Sequence, residues 1–150
     1  MKKLTACLLA VTAITMAVPA SAQFSKPENA IKYRQSGMFM MAQNFGRVAG
    51  MSAGRIPFDA KVAADSAAVA EIMSKLPWDG FVSGTSVGQT KAKPEIWTNK
   101  AKFDDNSKKL QAEMTKLVAA TKSGNLDNIK LAVSATGAVC KSCHDEFQAN

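Results

Sequence analysis

The chain has 150 residues, of which 47% are hydrophobic, 7% aromatic and 21% charged. That suits one globular domain and is too apolar, and too poor in proline and glycine, for a disordered or collagen-like chain. Three cysteines are too few for a disulfide-dense mini-protein, while a formal net charge of +7 by itself admits nucleic acid, an anionic membrane surface or an acidic partner.

Residues 1–22 read as a signal peptide. Met1-Lys2-Lys3 is a short basic start, Leu4 to Val18 is an uncharged apolar run, and Ala20-Ser21-Ala22 has the small-x-small form of a cleavage site, placing the cut before Gln23. The run falls short of the ~20 residues that span a bilayer, so the expectation is export and a mature domain over 23–150 with no membrane anchor. Loss of Lys2 and Lys3 lowers the formal charge from +7 to +5, and loss of Cys7 leaves only Cys140 and Cys143. The remaining positive charge is scattered, and export removes the usual polyanion, so no nucleic-acid partner is expected.

Apolar spacing predicts four helices in the mature chain. The first begins near Pro27, a residue tolerated at a helix start. Its inward stripe is Ile31, Arg34/Gln35, Met38, Met41/Ala42, Phe45 and Val48/Ala49, ending between Gly50 and Gly54. The second follows Asp59 as N-cap, with a stripe of Val62, Ser66, Val69, Met73 and Leu76 stopped by Pro77. Ala49, Ala63, Ala67 and Ala70 exceed what these two helices need inside and read as a face for a twin subunit. A long, turn-rich connection from Pro77 to Thr98 carries Trp78, Phe81 and Trp97; a loop of this length in a compact domain is usually functional or covers something. The third helix follows Thr98 or Asn99, with Phe103, Asn106/Ser107, Leu110, Met114, Leu117 and Thr121 inward and Ser123-Gly124 closing it. The fourth follows Asn125 or Leu126, with Ile129, Val133, Thr136, Cys140, Cys143 and Phe147 inward. Steps of three and four, with short first-to-second and third-to-fourth connections, predict an all-α antiparallel four-helix bundle. Met40, Met41, Met51, Met73 and Met114 read as core or interface filler.

The last predicted helix contains Cys140-Lys141-Ser142-Cys143-His144, which is C-x-x-C-H, the attachment signature of c-type haem. Two thiols add across two vinyl groups of one haem edge as thioethers, and the adjacent imidazole then lies under the iron and binds it. A thioredoxin-like pair sits at a helix start after a strand, not near a helix end. A zinc site needs four ligands, and the chain has no second Cys/His pair. A local disulfide is the remaining bland reading. One haem c per chain, held by Cys140 and Cys143 with His144 as metal ligand, is the expectation. His144 is the sole histidine, so two-histidine ligation within one chain is excluded.

A C-x-x-C-H near the C-terminus of a four-helix, exported chain resembles cytochrome c′, the class II c-type cytochromes. The resemblance runs from Gln23-Phe24-Ser25-Lys26-Pro27-Glu28 and Ile31-Lys32-Tyr33-Arg34-Gln35, through Leu76-Pro77-Trp78 with Phe81 and Pro94-Glu95-Ile96-Trp97, to Cys140–His144 followed by Asp145. It implies a haem within an antiparallel four-helix bundle, usually a homodimer, in the periplasm, with five-coordinate iron that binds NO and CO and discriminates against O₂. No catalytic residue is implied. Met38 occupies the family's distal position, Arg34 corresponds to an arginine near the haem propionates, and Trp78 and Phe81 to aromatics about the haem, a role compatible with ordinary packing under the loop. The resemblance leaves two roles for Met38. One is an apolar lid over an open coordination position; the other is the thioether ligand of low-spin relatives, which would make the protein an electron carrier. Lys141 and Lys130 would then face an acidic redox partner, or simply coat a solvated helix. The family often has Tyr, then a basic residue, three and four positions after the histidine; here they are Phe147 and Gln148, which keep the packing and lose the hydroxyl and the charge.

Overall fold

A computed structural model describes residues 23–149; the expected signal peptide lies outside the described residues. Four long helices form the framework: α1 Pro27–Ser52, α2 Ala60–Met73, α4 Lys100–Lys122 and α5 Leu126–Phe147, with a one-turn α3 at Glu95–Thr98 and a 3-10 turn at Pro77–Gly80. α1 packs on α2, α2 on α4, α4 on α5 and α5 on α1, which closes the bundle. Among the described residues no helix is long and apolar enough to cross a membrane.

The helix ends follow local chemistry. Pro27 opens α1 at the position where a missing N–H costs nothing. Asp59 caps α2 by accepting from the Val62 N–H at 2.9 Å, and Asn125 caps α5 by accepting from the N–H groups of Asp127 and Asn128, both at 3.0 Å. Gly124 supplies the left-handed conformation (φ 67°) after α4.

The inward stripe of α4 is the predicted one: Phe103, Asn106, Ser107, Leu110, Met114, Leu117 and Thr121 are all buried. In α2 the inward face is turned from the predicted stripe: Ser66 is buried as predicted and Val62 and Met73 are half-buried, but the larger residues do not lead. Ala63, Ser66, Ala67 and Ala70 are buried, whereas Val69 and Leu76 are exposed. The alanines expected to face a twin instead lie inside the chain, with Ala63, Ala67 and Ala70 fully buried and Ala49 half-buried. Small side chains let α2 approach its neighbours closely, and this close packing outweighs burial of its larger residues. The methionines divide similarly: Met41, Met51 and Met114 are core, Met73 is half-buried, and Met40 is exposed.

The long connection is ordered by close contact with α1. A Cβ at Gly80 would stand 2.7 Å from the Ala30 carbonyl oxygen and 2.8 Å from the Arg34 Cβ, so only glycine lets the 3-10 turn lie against the helix. Gly84 and Gly88 have φ of 80° and 95°, the left-handed region that lets the loop double back. Its far end is strapped to α5: the Lys93 N–H donates to the Phe147 carbonyl at 3.0 Å and the Ala149 N–H to the Lys91 carbonyl at 2.8 Å.

Candidate haem site

The predicted attachment residues converge because of helical spacing. Cys140 and Cys143 are three residues apart and Cys140 and His144 four, so all three share one face of α5. That face lines a cavity of about 550 Å³, walled by α1 (Arg34, Gln35, Met38, Phe39, Met41, Ala42, Phe45), the loop (Trp78, Phe81, Thr90, Lys91, Ala92), α3 (Ile96), α4 (Phe103, Asn106, Leu110, Met114) and α5 with its end (Val139, Cys140, Cys143, His144, Phe147, Gln148). Every site residue expected from sequence is therefore at this one cavity. Its volume lies within the ~300–1,000 Å³ of cofactor sites, and its wall is mostly aliphatic, aromatic and thioether.

The thiols have the wrong electrostatics for redox work. Burial pushes the Cys140 thiol up, and burial, followed by the charges of Cys140 and Glu146, pushes Cys143 up to about 11. A reactive dithiol needs the opposite shift. Among the described residues no group of three or more His, Cys, Asp or Glu is arranged to hold a metal ion, so the zinc alternative finds no ligand set. Two apolar-walled thiols beside an imidazole, facing a space of porphyrin size, fit a covalently attached haem.

Arg34 is the most tightly held polar side chain at the cavity. It is 2% exposed and donates from Nη1 to the Gly80 carbonyl (2.9 Å) and Thr85 Oγ1 (2.7 Å), and from Nη2 to the Thr85 carbonyl (2.7 Å) and Thr90 Oγ1 (2.9 Å). Its guanidinium carbon lies 4.6 Å from the Phe81 ring centre and 5.7 Å from that of Trp97. Burial lowers its pKa, and the four oxygens compensate the desolvated charge. Gln35, next to it, donates from Nε2 to the Gln89 carbonyl at 2.7 Å. Both α1 polar groups thus spend donors on the loop.

Trp78 and Phe81 belong to an aromatic group under that loop. Trp78 stacks on Phe81 at 6.1 Å and meets Phe103 edge-on at 5.5 Å, Phe103 meets Phe147 at 5.3 Å, and the Trp78 Nε1–H is satisfied by the Ser74 carbonyl at 2.6 Å. Phe147 is 3% exposed, and that apolar seat is why the phenyl ring suffices without a hydroxyl. The lysines expected to face an acidic partner are each engaged locally, Lys141 by Asp145 and Lys130 by Asp127. Sequence reasoning missed Lys93, whose Nζ donates to the Asp145 and Glu146 carbonyls at 3.2 and 3.3 Å. Helix C-termini leave carbonyls unsatisfied, but nothing local in sequence says that a lysine some fifty positions away supplies the donor.

A family model described as Cytochrome C' matches residues 29–148. The chain belongs to the cytochrome c′ family. It is 49% identical over 127 residues to cytochrome c' of Rubrivivax gelatinosus, covering 84% of this chain and 98% of that one. Among solved structures, cytochrome c prime from Shewanella frigidimarina superposes with a TM-score of 0.83 at 39% identity, covering 85% of this chain and 100% of that one. A nitric oxide complex of a variant of cytochrome c prime from Alcaligenes xylosoxidans superposes at 0.79 with 40% identity, covering 85% and 99%. Cytochromes c′ carry haem c, bound covalently, and Cys140 and Cys143 are the attachment cysteines that this chain provides.

Proposed function

We propose that this chain is an exported, periplasmic haem protein that takes NO or CO on the Met38 side of its haem, with His144 as the sole protein ligand to iron. The haem iron supplies the bond to the gas; the chain decides which gas is favoured. The observation that carries the reading is the polarity of the α1 wall. Arg34 and Gln35 donate to the loop, leaving Met38, Phe39, Met41, Ala42 and Phe45, all apolar, as the rest of that wall. Bound O₂ gathers negative charge and needs a hydrogen-bond donor, which NO and CO need far less; the single histidine is committed on α5. Met38, half-buried on α1, crowds whatever enters.

The ferrous protein is expected to show a high-spin spectrum that changes on adding CO, and Met38→Ala to raise CO affinity at least about tenfold by removing roughly 1.4 kcal/mol or more of crowding. A low-spin spectrum silent to CO would overturn the vacancy and make Met38 a ligand. An unchanged affinity in Met38→Ala would remove the steric half of the proposal.

We also propose that the chain is a homodimer, supported by the apolar side chains left exposed on α1, on α2 and just after it: Phe39, Met40, Val69, Ile72 and Leu76. Gly37, near the middle of α1, lies against Pro77 just beyond α2, which sets the C-terminal end of α2 beside the stretch of α1 that carries Phe39 and Met40 and makes these residues a candidate interface. Sedimentation is expected to give twice the chain mass, falling toward one chain mass in Ile72→Glu; a monomer at high concentration would refute it.

A further inference from the structure

We propose that Lys91, not Arg34, is the counter-ion for the carboxylates of the bound haem, and that Arg34 is a loop lock. Haem carries two propionates, and a carboxylate placed in an apolar site needs a cation or donors. Two lysine or arginine side chains line the cavity, Arg34 and Lys91, and among the described residues no aspartate or glutamate does. Arg34 is already committed: four loop oxygens take its Nη hydrogens, and aromatic rings flank its guanidinium. Turning it toward a propionate would strip the Gly80 and Thr85 carbonyls of their donor.

Lys91 has the opposite character. It is exposed and, unlike Lys102, Lys130 and Lys141, it forms no ion pair or side-chain hydrogen bond among the described residues. Its backbone is fixed, since its carbonyl accepts from Ala149 at 2.8 Å and the neighbouring Ala92 bridges to Gln148. A flexible, unpaired ammonium on a pinned backbone at the cavity wall can reach a carboxylate without breaking an existing bond. The same cation offsets the charge that the family has after its aromatic residue and that Gln148 here lacks. A positive charge near the haem favours the ferrous over the ferric state, because reduction adds an electron.

The assignment rests on haem occupying this cavity, and the experiment separates the two. In matured, haem-loaded protein, Lys91→Gln is expected to lower the equilibrium constant for reduction about three- to tenfold, with 59 mV for each tenfold in a one-electron couple. Lys91→Glu should roughly double the shift on the logarithmic scale, Lys91→Arg should restore the parent value, and the Lys91→Gln shift should shrink in high salt. Lys61→Gln, at the start of α2 and paired only with Asp65, is the control for net charge. A Soret band with a potential unmoved in both Lys91→Gln and Lys91→Glu, or moved equally by Lys61→Gln, overturns the role of Lys91. Absence of a Soret band in the parent overturns the haem reading instead.

Discussion

Arg34→Ala is expected to destabilise the haem-loaded protein by about 3–5 kcal/mol, read as a lower urea midpoint in far-ultraviolet circular dichroism. The magnitude follows from what is stranded. The Gly80 carbonyl, the Thr85 carbonyl and the Thr85 and Thr90 hydroxyls lose charge-assisted donors, at about 1–3 kcal/mol for each buried group left unpaired. The two hydroxyls each keep another bond, Thr85 Oγ1 donating to the Val82 carbonyl at 2.7 Å and Thr90 Oγ1 accepting from the Ala92 N–H at 3.1 Å, so the two carbonyls carry most of the loss. Loss of the stacked cation over Phe81 adds about 1 kcal/mol, and partial rehydration of the loop subtracts from the sum. Arg34→Lys should recover only part of the loss, since an ammonium cannot span oxygens that a planar fork reaches together. The loop between Gly80 and Thr90 is where the damage should concentrate, so limited proteolysis should cut there in Arg34→Ala and not in the parent. Were Arg34 only a partner for haem carboxylates, the potential would shift while the loop stayed resistant.

That role was not readable from sequence, and the reason is physical. Spacing placed Arg34 on the inward stripe of α1 correctly, and a buried arginine demands acceptors. Which acceptors it finds depends on a loop some fifty residues away whose path is set by Gly80 lying against Ala30 and by two positive-φ glycines. No local pattern encodes that meeting. The long helices were legible because their periodicity and caps are local: Asp59 and Asn125 cap where expected, and α4 buries the stripe its sequence shows. The inward face of α2 is not legible from hydrophobicity alone, because close helix approach buries Ala63, Ala67 and Ala70 in preference to Val69. The attachment motif was legible for the same reason as the caps, since three residues within one and a half turns carry their own geometry. The remainder of the cavity wall, drawn from five separate segments, needed the bundle to assemble first.

The double variant Cys140→Ser/Cys143→Ser is expected to lose its pigment to acidified acetone, whereas either single variant, keeping one thioether, should retain it on the chain. The pair shares a helix face rather than facing one another across elements, so neither thiol staples distant parts of the fold, and loss of both should act on the chain only through the haem they hold. The consequence for stability is large because of the space involved. Enclosed, unfilled apolar volume costs about 24 cal/mol per Å³, so even the sheltered part of this half-open cavity costs roughly several kcal/mol, a large share of the about 5–15 kcal/mol that stabilises an ordinary domain. Water and side-chain collapse relieve part of it, yet the walls that α1, α4 and α5 present have too few free polar groups to hold water well. Stripped of haem, the double variant should therefore keep much of its helical signal while losing cooperative thermal unfolding and the fixed environment of Trp78 in near-ultraviolet dichroism. A stripped protein that still melted sharply, with its aromatic signal intact, would show that the bundle closes without its pigment and that the cavity is not what the haem fills.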